Sequence, residues 1–234
     1  MKQLFLIISF ILLTLAGFTQ DRSGYIGISL GPSFPVGDYA ATSGENAGYA
    51  DRGFNMSLVS FCYKFGERFG VAASWYGIAN PPDGEALVEG VGFNDLYFSG
   101  QLETSLWSTS GMSAGLLVSF PYTNFDLDIK TLIGFAGTRS PELKLTILDG
   151  FSSVIILYEE QESNIGLSLS FGGAIRYYMS EKWALSLNLD YFTTSAKFPE
   201  YNILISDGTY QEKEAFEQNI SALSLTLGIG YRLK

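Results

Sequence analysis

Ile220-Ser221-Ala222-Leu223-Ser224-Leu225-Thr226-Leu227-Gly228-Ile229-Gly230-Tyr231-Arg232-Leu233-Lys234 closes the chain and alternates almost without interruption. Ser221, Leu223, Leu225, Leu227, Ile229, Tyr231 and Leu233 share one face; Ala222, Ser224, Thr226, Gly228, Gly230 and Arg232 share the other. Side chains of a strand point to opposite faces with a period of two. A strand this long, apolar on one side and small or polar on the other, suits a lipid exterior and a packed or wet lumen.

The same pattern recurs upstream. Ile165, Leu167, Leu169, Phe171, Ile175 and Tyr177 alternate with Gly166, Ser168, Ser170, Gly172, Ala174 and Arg176. Trp183, Leu185, Leu187, Leu189 and Tyr191 alternate with Ala184, Ser186, Asn188 and Asp190. Phe125, Leu127, Ile129, Thr131 and Ile133 alternate with Asp126, Asp128, Lys130 and Gly134. Further strands are expected over about 24–34, 53–65, 69–78 and 111–120. The second has two competing phases, since Phe54, Met56 and Leu58 suit lipid as well as Val59, Phe61, Tyr63 and Phe65; a bulge near Leu58 reconciles them. The connections alternate long and short, as in barrels with short turns at one rim and long loops at the other. About 11 residues at about 3.3 Å each, tilted by about 40°, span roughly 27 Å, which matches an apolar band about 25 Å tall. Aromatic residues gather at the strand ends, with Phe69, Phe120, Phe125, Tyr177, Trp183 and Tyr231 at one rim and Phe34, Trp75, Phe135 and Tyr191 at the other, as interfacial girdles do.

The expected fold is therefore all-β: a transmembrane antiparallel up-and-down β-barrel of eight strands, with ten as the alternative. The alternative arises because Leu96–Leu102, Leu143–Leu148 and Val154–Tyr158 also look extended. They either prolong strands above the membrane or add spanning ones. Residues 1–20 carry Lys2, an apolar run from Leu4 to Ala16 and a small or polar end, the layout of a cleaved secretory signal. Residues 21–234 are then one barrel domain.

Composition narrows the function. The 234 residues contain no histidine, one cysteine (Cys62) and a net charge of −10. Histidine-dependent hydrolytic triads, His-ligated zinc and His general bases are excluded. One cysteine forms no intrachain disulfide, and an acidic chain is a poor partner for nucleic acid. The acidic loop residues Glu142, Asp149, Glu159, Glu160, Glu162, Glu200, Asp207, Glu212, Glu214 and Glu217 read as a solvated surface. The candidate site is internal. With strand two in the phase just given, Lys64, Asp126, Asp128, Lys130, Arg176, Asp190 and Arg232 all point inward. They are expected to form a lumenal ion-pair network, because buried charges are tolerated only when paired. No catalytic, cofactor or metal site is expected.

The leader, the eight alternating segments, the Gly-rich first strand, Ser140-Pro141-Glu142-Leu143 after strand five and the ending Leu227-Gly228-Ile229-Gly230-Tyr231-Arg232-Leu233-Lys234 together resemble the small outer-membrane β-barrel family, OmpA-transmembrane-domain/OmpX-like and PorT-like. The resemblance covers the mature chain. It implies a monomer in the outer membrane of a Gram-negative bacterium, in contact with lipid and lipopolysaccharide. It also implies a narrow or plugged lumen and a structural, adhesive or partner-binding role through the long external loops. The alternative is a small channel or transporter for small or hydrophobic solutes.

Overall fold

A computed structural model of the chain describes residues 24–44, 46–90, 99–149, 152–159, 161–199, 201–205, 210–213 and 215–233. The leader read over residues 1–20 and the acidic residues Glu160, Glu200, Asp207 and Glu214 lie outside them. In chain order the strands are β1 (Gly24–Pro35), β2 (Gly53–Lys64), β3 (Phe69–Asn80), β4 (Ser99–Thr104), β5 (Trp107–Pro121), β6 (Phe125–Arg139), β7 (Leu143–Asp149), β8 (Ser152–Glu159), β9 (Ser163–Tyr178), β10 (Trp183–Phe198), β11 (Tyr201–Ile205), β12 (Tyr210–Lys213) and β13 (Phe216–Leu233). One short helix, α1 (Gly84–Gly90), and a 3-10 turn, Gly37–Ala40, complete the described elements.

Eight strands close a barrel in the order β1-β13-β10-β9-β6-β5-β3-β2. All pairings are antiparallel, and β1 meets β13, so the first and last strands seal the ring. Closure leaves no unpaired edge in the barrel, which lipid requires of any β structure that crosses it. The described parts of the extended segments behind the ten-strand alternative do something else; Leu96, Tyr97 and Phe98 lie outside the described residues. β4, β7, β8, β11 and β12 form a separate five-stranded sheet, order β12-β11-β8-β7-β4, built from three of the long connections. The barrel strands also run further into those connections than the alternation of apolar residues indicates. β5 begins at Trp107, β6 ends at Arg139, β10 ends at Phe198 and β13 begins at Phe216.

The bulge in β2 falls at Leu58, where the pairing with β3 shifts between Ser57 and Val59. Phe54, Met56 and Leu58 are exposed on one side of it; beyond it Cys62 and Lys64 are buried. One extra residue thus keeps apolar side chains outward along the whole strand and turns Lys64 into the lumen.

The outward face is apolar from rim to rim. On β13, Leu225 and Leu227 are 43% and 68% exposed, while Ser224 and Thr226 are 1% and 3% exposed. Leu167, Leu187, Ile133, Met112 and Phe171 on other strands are similarly exposed. About ten steps from Phe125 to Phe135, at about 3.3 Å and a tilt of about 40°, make a belt roughly 25 Å tall. Trp183 and Tyr231 pack edge to face at 5.4 Å on the turn rim, and Tyr122 stacks on Phe125 at 4.6 Å on the same rim. Such a surface is costly in water and correct in hydrocarbon. No described helix is long and apolar enough to cross a membrane. Leu187, half way between Trp183 and Tyr191, faces outward. Leu187→Arg should cost about 2–4 kcal/mol of folding free energy in vesicles, read as a shifted urea midpoint, whereas Thr193→Arg near the loop rim should cost no more than about 1 kcal/mol.

Candidate functional site

The inward face divides into three layers. The lowest, at the turn end, is ionic. Asp126 on β6 lies directly across from Arg176 on β9. Asp128, one inward step up β6, lies opposite Ala174, whose small side chain leaves Arg176 free to reach diagonally. Arg176 forms an ion pair with Asp128 and stands 3.8 Å from Asp126. Lys64 reaches from β2 to form an ion pair with Asp126 and donates to Ser119 Oγ at 3.2 Å. The Tyr178 hydroxyl donates to Asp126, and the Arg176 guanidinium lies 3.7 Å over the Tyr25 ring. Lys64, Asp126, Asp128 and Arg176 are all at most 5% exposed. Lysine and aspartate survive such burial only because each charge meets an opposite one.

Lys130 and Asp190 pair one layer higher, at 2.9 Å. Their geometry depends on a glycine. Gly172 on β9 pairs with Lys130 on one side and with Asp190 on the other, so the missing side chain opens the lane between them. A Cβ built on Gly172 would lie 2.7 Å from the Leu189 carbonyl oxygen and collide with the Asp190 carboxylate. Gly172→Ala is therefore expected to break the Lys130–Asp190 pair and cost about 1–3 kcal/mol as an overpacking change, measurable as a lower urea midpoint. A Gly173→Ala control has its nearest Cβ contact at 3.4 Å and should be near neutral. Arg232 differs from the other predicted members. It lies half-buried with its guanidinium 5.2 Å over the Tyr178 ring, and so joins the layer below through an aromatic face that is itself bonded to Asp126.

Above Lys130–Asp190 is a polar chamber of about 40 Å3, lined by hydroxyl-bearing and other polar side chains that include Ser29, Asn55, Ser57, Ser74, Ser113 and Thr226. Ser57 Oγ lies 2.8 Å from Ser74 Oγ and 2.9 Å from Ser60 Oγ. Ser113 Oγ is buried without a hydrogen-bond partner among the described residues. That is the setting in which buried water is found, and the chamber has room for only a few molecules.

The third layer is aromatic and lies at the loop end. Tyr76 packs on Phe192 at 5.2 Å, Tyr39 on Trp107 at 5.7 Å and Trp107 against Phe198 at 6.1 Å. Ile78, Ala136, Ala196 and Ile220 fill the spaces between them. Tyr39 belongs to the 3-10 turn of the first long connection and is 1% exposed. Burial pushes its phenol well above the usual tyrosine range. The connection is tied down at several points. Trp107 Nε1 donates to the Gly48 carbonyl at 3.0 Å, Asn80 Nδ2 to the Asp51 carbonyl at 2.8 Å, and Gly48 N to the Asp38 carbonyl at 2.8 Å. Gly48 is required here, because a Cβ would lie 2.9 Å from Tyr39 Cα. On the outer face above the belt, Lys197 pairs with Glu217 at 3.3 Å; the Ser195 hydroxyl and Lys197 hold the Glu217 carboxyl below the usual range.

Alternation along the sequence put the ionic residues on the inward face but gave no sign of the aromatic layer. Tyr39, Trp107 and Phe198 fall in stretches that read as polar connections. Phe192 sits on the inward parity of β10, where a large aromatic residue is itself the signal of a filled lumen. Tyr25 and Tyr178 also point inward at the strand ends, where alternation gives no sign of their contacts with Arg176 and Asp126. No group of carboxylates and cysteine suited to a metal ion occurs among the described residues.

No protein-family model and no curated protein sequence matches the chain. Among solved structures it is similar to a major outer membrane protein from Thermus thermophilus, with a TM-score of 0.50 and 14% identity over 92% of this chain and 100% of that one. It is also similar to Ail, the attachment invasion locus protein of Yersinia pestis, with a TM-score of 0.46 and 15% identity over 92% of this chain and 100% of that one. A third similar structure is the outer membrane protein OprG from Pseudomonas aeruginosa, with a TM-score of 0.42 and 12% identity over 91% of this chain and 95% of that one. The chain has the fold of the small outer-membrane β-barrels. At these identities the likeness is one of fold, and function has to be argued from this chain's own residues.

Proposed function

We propose that this protein is an integral outer-membrane barrel of a Gram-negative envelope, delivered by the leader over residues 1–20 and closed to ion flow. Its turn end faces the periplasm and its loop end the exterior. It acts through the external five-stranded sheet and loops, as a structural, adhesive or partner-binding surface and not as an enzyme. The observation that carries this reading is the pair of independent layers across the lumen, ionic below and aromatic above, with a chamber of only about 40 Å3 between them. A solute path would require both layers to move. An eight-stranded barrel is about as wide as its own side chains can fill, so closure needs no added plug domain.

The test is single-channel recording on the refolded protein in planar bilayers. The expected result is no current from protein shown to be inserted by its heat-modifiable migration. Discrete steps would overturn the closed-lumen reading and favour the channel or transporter alternative.

A further inference from the structure

The outer face carries a groove that the closed lumen does not explain. It measures about 750 Å3 and lies where β5, β6 and β9 rise above the apolar belt, lined by Ser108, Ser110, Gly137, Arg139, Ser163 and Ile165 among others. The pairing register sets these residues in outward rows. Met112, Phe135 and Leu167 form the top row of the belt; Ser110, Gly137 and Ile165 form the next; Ser108, Arg139 and Ser163 form the one above. The surface changes from fully apolar to hydroxyl-rich and cationic within two rows, which is the depth of the lipid headgroups. Gly137 keeps the middle row open, since a Cβ there would find only the Ser110 carbonyl oxygen at 3.8 Å and Ile165 Cγ1 at 3.9 Å.

Arg139 is the unusual member. Lys64, Lys130, Arg176 and Lys197, the other Lys and Arg residues on the barrel strands apart from Arg232, each pair with a carboxylate. Arg139 has neither an ion pair nor a side-chain hydrogen bond among the described residues, and it is exposed. A guanidinium presents a planar fork of donors suited to phosphate, and the serine hydroxyls beside it add further donors. We propose that this groove binds the phosphate of a lipid headgroup, with the acyl chains of the same lipid continuing down over Met112, Phe135 and Leu167. The net charge of −10 repels anions arriving from solution. A phosphate held in the membrane plane by its acyl chains is presented at high local concentration, which offsets that repulsion, so a lipid and not free phosphate is the fitting occupant. The proposal rests on the reading that the belt faces the outer membrane.

The experiment is native mass spectrometry of the folded barrel after exchange from mixed micelles containing diphosphorylated lipid A or the same lipid dephosphorylated. The wild-type barrel is expected to retain one diphosphorylated lipid A about tenfold better than Arg139→Gln does. Arg139→Lys should fall between them, because an ammonium lacks the planar fork. Dephosphorylated lipid should be retained by the wild type no better than the intact lipid is by Arg139→Gln, and excess inorganic phosphate should not displace the bound lipid. Equal retention by wild type and Arg139→Gln, indifference to dephosphorylation, or displacement by inorganic phosphate would each overturn the proposal. All arms use protein whose heat-modified migration shows a folded barrel. A failed site therefore leaves the closed-barrel reading standing, whereas protein that never inserts would count against that reading and the site together.

Discussion

Asp126→Ala is expected to lower the stability of the folded barrel by about 3–5 kcal/mol, the cost of stranding buried charge when one partner of a buried pair is removed. Asp126 is where the lower layer converges. It pairs with Lys64, accepts the Tyr178 hydroxyl and lies 3.8 Å from Arg176, with both cations no more than 5% exposed. Without it, Lys64 and Arg176 face one another across the lumen with Asp128 as the remaining carboxylate of that layer. A urea titration of vesicle-folded protein, followed by the heat-modifiable band, reads the loss. Replacing both partners, Lys64→Met with Asp126→Leu, should cost much less, because an apolar pair of similar volume does not strand a charge. A loss below about 1 kcal/mol for Asp126→Ala would mean that water reaches the layer and screens it. Conductance should stay silent in the single variant, because the aromatic layer is untouched.

Trp107→Ala should cost a comparable amount, about 3–5 kcal/mol for a large buried aromatic residue, with a different signature. Trp107 is 5% exposed, contacts Tyr39 and Phe198 and donates to the Gly48 carbonyl. Its removal unties the first long connection from the barrel mouth. The amides of Gly48 and Ala50, which donate to the Asp38 and Tyr39 carbonyls, should exchange with solvent faster, while those of the β10–β13 ladder keep their protection. Trp107→Phe should lose less, since it keeps most of the buried area. Combined with Asp126→Ala, Trp107→Ala weakens both layers at once, and this double variant is the one expected to pass small ions. Protection at Gly48 and Ala50 that stays unchanged in Trp107→Ala would show that the connection is held by its other ties.

Much of the fold was legible because lipid imposes a simple rule on strands. Leu223, Leu225, Leu227 and Ile229 must face out, so their neighbours must face in, and a period of two is visible without homologues. The same rule exposed the phase break at Leu58 and put Asp126, Asp128, Arg176 and Asp190 on the lumen side. It stops working where the belt stops. Above Tyr191 and Phe135 both faces of the strands are wetted or packed by loops, so alternation no longer reports burial. That is why the extensions of β5, β6, β10 and β13 and the five-stranded sheet were not separated from spanning strands. Partners across the lumen were illegible for another reason. Period two gives the face of a residue but not its neighbour, so the Lys64–Asp126 reach and the Gly172 lane between Lys130 and Asp190 appear only with the register. Arg232 shows the same limit, since facing inward does not foretell that its guanidinium lies over the Tyr178 ring.

The most direct measurement is lipid quenching along β13. In a Cys62→Ser background, single cysteines at the outward positions Leu223, Leu225, Leu227 and Ile229, and one at the exposed turn residue Glu67, carry a fluorophore, and the protein is folded into vesicles whose acyl chains bear bromine. Labels on β13 should be quenched, most strongly near Leu227 at mid-belt; the label at Glu67 should be spared. Quenching no stronger at Leu223, Leu225, Leu227 and Ile229 than at Glu67 would contradict a membrane-spanning barrel.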